Sequence, residues 1–488
     1  MSATLRTPGM ETPVGEKSPD RYRVGTLVYT KVGLLTLFLL LLGGDFCFTL
    51  MEAVVPSILP VKFNALGVPN TTLGLILTTI PNLMNVVINP FISFRSDRYR
   101  SKWGRRIPFL AGATPFLVIF LVLLGCSEPI SRWLRALLML GESSQITVTI
   151  IVFGVFMVCF QFFNLFVSSV YYYLFNDVVP PSFLARFMAL FKIVSIGAWS
   201  FYNYFVFKYA NTHMTTIFLV AGVLYLVAFS VMCWNIKEGE YPPLPPDTDK
   251  QTGILGDIKT YSRECFTHRF YWFFFLANAF SAMGWGVTGT YDVLIATKLV
   301  GMDLSLFGKV SGICGLISLV LLYPAGIIAD RFHPLRVFLA GWSLLLVFTP
   351  IMIVFLFFRH LFAPPDVIRI WIGLLVIAGL IRLLAGASEM PMFMLLLPKE
   401  RYGQFCSASA IIRSVMFTIG GIACGAFLDI SKGFQANPDE CYRFVPIWNL
   451  VFILLTVGSL LFLKREWNRL GGLCSFEPPS GDPLKPKS

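Results

Sequence analysis

Charge is scarce in this chain. Only 14% of its 488 residues are Asp, Glu, Lys or Arg, against about a quarter in an ordinary soluble protein. Histidine is rarer still: His213, His268, His333 and His360 are the only four, and none stands at a metal-ligand spacing from another. The ten cysteines are scattered singly with no CxxC pair, and most, such as Cys47, Cys159, Cys314 and Cys424, lie inside apolar runs. There they act as small hydrophobes, so neither a disulfide framework nor a zinc site is expected. Residues 1–30 hold no apolar stretch of the kind a cleavable leader needs. No Ser-His-Asp set and no phosphate-cradling glycine loop is found, which argues against a membrane-embedded enzyme and against any cofactor.

Apolar residues are what the chain has in excess. They make up 56% of it, with a mean hydropathy of +0.71. A single water-soluble core stops growing at roughly 250–300 residues, so the surplus must meet lipid. Runs of the ~20 residues that cross a bilayer as a helix recur throughout. They predict an all-α membrane protein with twelve spans, at 32–60, 72–94, 108–126, 146–175, 184–208, 214–236, 270–297, 306–329, 337–358, 367–397, 410–430 and 445–463.

The net charge of +12 comes with no nucleic-acid motif, and its distribution reads as topology. Lysine and arginine concentrate in the amino-terminal arm, the connector after the second span, the central linker and the carboxyl tail. That asymmetry predicts both termini in the cytoplasm. Residues 237–269, with the proline run YPPLPP, read as a solvated linker between two sets of six spans. The expected units are a flexible arm (1–31), an amino-terminal bundle (32–236), the linker (237–269), a carboxyl-terminal bundle (270–463) and a tail (464–488). Loops repeat between the sets. PFISFRSDRYRSKWGRR (90–106) follows the second span and PAGIIADRFHPLR (324–336) the eighth, while VVPPSFLARF (178–187) and LLPKERYGQF (396–405) follow the fourth and tenth. A duplicated six-helix unit is implied.

Twelve spans in two sets, with SDRYRSKWGRRIPF after the second, resemble the major facilitator superfamily, and within it the glycoside/pentoside/hexuronide–cation symporters and the related sucrose–proton symporters. The resemblance implies two six-helix bundles that rock about a central site. It also assigns Asp97, Arg98, Gly104, Arg105 and Arg106 to a gate at the inner mouth, with Asp330 and Arg331 as a degenerate counterpart. Asp45, after GGDF-like residues, matches the family's acid in the first span. Acids of the cation-coupled members fall at the positions of Asn85 and Asn89, and near Ser168 or Ser169. Their replacement here by amides and hydroxyls disfavours sodium coupling of the family type. Arg413 stands where the family has a cation.

Polar residues inside the spans form stripes at helical spacing. The first span carries Asp45, Thr49 and Glu52; the second Thr78, Asn82, Asn85 and Asn89; the fourth Gln161, Asn164, Ser168 and Tyr172; the fifth Lys192, Ser195, Trp199 and Asn203. A mid-span carboxylate costs about 2.5–3.5 kcal/mol on insertion scales, so Asp45 and Glu52 need partners, water or a proton. Asp45, Glu52 and Glu389 are the candidate proton carriers, with Lys192 and Arg413 as countercharge. Arg382 and Glu389, seven apart, are expected to pair or to face one cavity. Hydroxyls, amides and carboxylates beside aromatic rings suit a sugar, with Trp199 and Trp285 as stacking candidates. The alternative for the same stripes is glue between helices.

The expectation is a secondary active transporter of a sugar or glycoside, coupled to H+, monomeric, in the plasma (inner) membrane. An exporter or uniporter of another, anionic solute is the rival, since Lys192, Arg382 and Arg413 would suit one. A non-transporting membrane sensor is the remote alternative.

Overall fold

The computed structural model describes residues 22–239, 265–398 and 402–479. A short hairpin, β1 (Arg23–Val24) and β2 (Leu27–Val28), precedes the helices, and Tyr22 stacks there on Phe183 at 5.5 Å. The amino-terminal half then holds α1 (Lys31–Ala65), α2 (Asn70–Gly74), α3 (Ile80–Arg98), α4 (Ile107–Gly125), α5 (Ser127–Leu137), α6 (Gln145–Val178), α7 (Pro181–Phe201) and α8 (Met214–Asn235). The carboxyl-terminal half holds α9 (Arg269–Thr288), α10 (Asp292–Leu294), α11 (Leu304–Phe332), α12 (Pro334–Phe358), α13 (Pro364–Leu396), α14 (Tyr402–Lys432), α15 (Val445–Arg469) and α16 (Gly472–Ser475).

Among the described residues, eleven helical segments are long and apolar enough to cross a membrane. The helical run from Arg269 through the π-turn Ile295–Leu299 covers the predicted span 270–297. It is not among the eleven because Tyr, Trp, Asn and Gly dilute its apolar residues. Helices suit lipid because they satisfy every backbone group within the segment.

Three spans widen into π-turns, at Leu75–Thr79, Tyr202–Val206 and Ile295–Leu299. The first has a local cause. Pro81 cannot donate to the carbonyl four residues back, and the turn ahead of it relaxes to the wider spacing. The amphipathic α5 was not anticipated; the sequence reading leaves 127–145 as a connector. Its Glu128 in the first turn and Arg135 in the last complement the helix dipole, and Glu128 pairs with Lys62 at 2.8 Å.

Short connections make successive spans antiparallel, so two faces can be distinguished. One carries the turns at 66–69, 300–303 and 433–437; the other carries the loop at 99–106 and both ends of the described chain. The apolar core tells them apart. One continuous cluster runs from Leu34 and Tyr225 in the first half across to Tyr291, Leu428 and Tyr442 in the second. A separate cluster, with Phe270, Leu335, Phe405 and Trp467, fills the other end of the second half alone. The halves therefore share a core at one face only.

Candidate functional site

The first-half acids lie on one stripe of α1. Asp45 is 1% exposed; one carboxylate oxygen accepts from Ser195 Oγ of α7 at 2.8 Å and the other from Thr49 Oγ1 at 3.5 Å. Two hydroxyls thus replace the water a buried carboxylate has lost. Lys192 is within electrostatic reach of Asp45 but forms no ion pair among the described residues. One helical face further along, Glu52 Oε1 accepts from Asn164 Nδ2 of α6 at 3.3 Å. Glu52 is exposed, and Pro56, one turn on, lines the cavity between the halves.

The amide stripes divide. Asn82 Nδ2 donates to Thr78 O at 2.8 Å and Ser168 Oγ to Leu165 O at 3.4 Å, both within their own helices. Asn89 Oδ1 accepts from Ser169 Oγ at 2.6 Å, joining α3 to α6. Asn85 and Gln161 are half-buried and Tyr172 is exposed.

A cavity of about 550 Å³ lies between the halves, lined by Ser57, Trp199, Asn203, Asp292, Ser311 and Arg382 among others. The Arg382 guanidinium sits over the Trp285 ring, with Asp292 in electrostatic reach and its own buried Nε without a hydrogen-bond partner. Behind Arg382, an enclosed cavity of about 50 Å³ is lined by Trp285, Trp342, Trp371 and Asn449. Trp285 therefore serves as a shelf for Arg382, while Trp199 faces the main cavity. The expected Arg382–Glu389 ion pair is not formed among the described residues; Glu389 is half-buried and Arg413 exposed, its guanidinium 5.7 Å from the Phe417 ring. Asp292 was missed because no stripe accompanies it. The duplication was the usable signal: each half sets an acid of its first span against a polar residue of its fourth, Glu52 with Asn164 and Asp292 with Arg382.

At the face with the shared core, the carboxylate of Asp429 accepts four hydrogen bonds from the other half. They come from Asn70 N and Nδ2 at 2.9 and 3.0 Å and from Thr71 N and Oγ1 at 2.8 and 2.6 Å. An acid of α14 thus caps the start of α2, where helix N–H groups lack partners. Tyr291 OH adds a bond to Asn70 O at 3.2 Å. Glycines let the backbones meet: a Cβ on Gly74 would stand 1.9 Å from Gly421 O, and one on Gly308 2.4 Å from Asn203 O. Sequence reasoning overlooked this latch, although Gly421-x-x-x-Gly425 and Gly308-x-x-x-Gly312 are small-residue contact patterns.

The opposite face is organised differently. Arg105 Nε and Nη2 donate to Asp177 at 3.0 and 2.5 Å, Arg106 Nε to Asp177 at 3.1 Å, and Arg106 Nη1 to Ser96 Oγ at 2.6 Å. The Glu238 carboxylate accepts from the backbone N–H of Arg105, Arg106 and Ile107 at 2.9, 2.8 and 2.7 Å. Gly104, at φ +103°, leaves room for it, since a Cβ there would come within 2.5 Å of Glu238. Asp177 and Ser96 belong to the first half, and Glu238 opens the segment that follows it. The side chains of Asp97 and Arg98 lie outside the described residues. Asp330 and Arg331 are exposed, and the Arg331 guanidinium lies 5.7 Å from the neighbouring Phe332 ring.

Two helical halves around a polar cavity, closed at one face by contacts between them, define a membrane transporter of the two-bundle type. The family model described as MFS/sugar transport protein matches residues 41–464. The chain belongs to that family and is a multi-pass integral membrane protein. Solved structures share its fold. A bacterial homologue of the human lysosomal transporter Spinster, inward-facing and unoccupied, has a TM-score of 0.67 at 12% identity, over 90% of this chain and 99% of that one. A D-xylose–proton symporter gives 0.63 at 12% identity, over 88% and 97%. The nucleoside transporter NupG gives 0.60 at 11% identity, over 88% and 98%.

Proposed function

We propose that this protein moves a sugar or glycoside by alternating access in symport with protons. The observation that carries the reading is the cavity of about 550 Å³ to which both halves contribute, with Trp199 for a sugar's C–H face and Ser57, Asn203, Asp292, Ser311 and Arg382 for its hydroxyls. Asp45 and Glu52 are the proton carriers: one is held by hydroxyls, the other opens on the cleft, and neither has an ion-pair partner among the described residues that would fix it as a carboxylate. Lys192 and Arg413 supply countercharge, and Glu389 is a further carrier on the second half. Asn82, Asn85, Asn89, Gln161, Asn164, Ser168 and Tyr172 line the path or hold it open.

In this reading the run Arg269–Leu299 is the seventh of twelve spans, residues 32–236 and 270–463 are the two moving units, and 237–269 joins them. Both termini are cytoplasmic, the protein is a monomer in the plasma (inner) membrane, and the latch of Asp429 closes the outer mouth. The test is uphill flux in liposomes: a proton gradient without sodium should drive glycoside accumulation. Accumulation that follows sodium alone would overturn the coupling, and none with any sugar would overturn the substrate class. The unpartnered Nε of Arg382 favours one second reading, carriage of an anionic solute, and thermal stabilisation by acidic but not neutral sugars would select it.

A further inference from the structure

A second cavity lies away from the centre. A groove of about 590 Å³ lies on the flank of the first half between α4 and α8. Its floor is Ile107, Ala111, Pro115 and Phe229, which reach eight residues into α4, about 12 Å at 1.5 Å per residue. Its mouth is cationic: Lys102 stands just before α4 and Lys237 just after α8, both exposed. Neither lysine has an ion-pair partner among the described residues. Among the described residues, the acid at the mouth is Glu238, whose carboxylate accepts from three backbone N–H groups. Two indoles flank the opening, Trp103 at 67% and Trp234 at 86% exposure, which is the placement of side chains at a membrane–water boundary.

We propose that this groove binds one anionic phospholipid, its phosphate between Lys102 and Lys237 and an acyl chain along α4 and α8. A soluble anion would leave the apolar floor unused. A zwitterionic lipid would bring an ammonium to a mouth where two lysines have no ion-pair partner among the described residues. The bound lipid braces the end of α8, and with Glu238 the loop that carries Arg105 and Arg106.

The test is native mass spectrometry of the full chain released from detergent, titrated with phosphatidylglycerol or phosphatidylethanolamine of the same acyl chains. Phosphatidylglycerol should bind more tightly. Lys102→Gln and Lys237→Gln should each weaken it about fivefold, and together about 25–30-fold. Ser230→Trp, which fills the groove from an exposed position and leaves both lysines in place, should also abolish tight binding. Lys464→Gln/Arg465→Gln removes equal charge at the end of α15 and should change nothing. Equal affinity for the two lipids, equal loss in the α15 variant, or full binding by Ser230→Trp would each overturn the proposal.

Discussion

The two faces of this transporter are held by different physics. At the face of the shared core, the halves meet backbone to backbone across Gly74, Gly421 and Gly425, and one carboxylate from the second half caps a helix of the first. At the opposite face charge is plentiful, yet the arginines of the 99–106 loop bind Asp177 and Ser96 of their own half. The difference teaches where the energy of switching is stored. Glycine contacts demand a fit within tenths of an ångström and offer no tolerance. The arginine cluster ties the loop to the ends of α3 and α6 within the first half.

The comparison breaks most sharply at the glycines. Gly74→Val puts side-chain atoms where Gly421 O now stands, so the closed face cannot form. Flux should fall to the liposome background, and spin-label distances across that face should lengthen to a single open population. Retained transport would show that this contact is not part of the cycle. Next in size, Asp45→Asn with Glu52→Gln should abolish uphill accumulation while sparing downhill exchange; persistent accumulation would move the carriers elsewhere.

Asp429→Ala removes charge-assisted hydrogen bonds of about 1.5–3 kcal/mol each. Allowing for water that re-solvates the freed groups, the open-to-closed ratio at that face should rise about 10- to 100-fold, read by the same distances. An unchanged ratio would mean that the glycine packing alone holds the face. The smallest effect is expected at the other mouth. Glu238→Ala should cost about 1–2 kcal/mol, the range of a lost helix cap, seen as a fall of a few degrees in Tm with closed-face distances unaltered. A change in those distances would show that the arginine loop reports to the far side after all.

Much of the architecture was legible because lipid penalises exposed polarity: a span must be a largely apolar run, and eleven of the twelve predicted runs correspond to helices long and apolar enough to cross a membrane among the described residues. The 99–106 loop stood out for the same reason, as charge where little is tolerated. The partners of that charge did not. Asp177 closes the fourth span and Glu238 opens the linker, and nothing in their neighbourhood in the chain points at Arg105 or at the start of α4. Asp45 with Ser195 and Glu52 with Asn164 could be suspected from their stripes, but which stripe meets which depends on how whole helices rotate against each other. Arg382 shows the cost of local reasoning. Its spacing from Glu389 suggested a pair, whereas packing set it on Trp285 and near Asp292.

By itself the sequence determined the solvent and most of the helices, since each follows from composition and period along one chain. Only the tertiary structure decided which acid meets which donor and which face is shut. Those depend on distances between segments hundreds of residues apart, such as Asn70 and Asp429, and no periodicity records them.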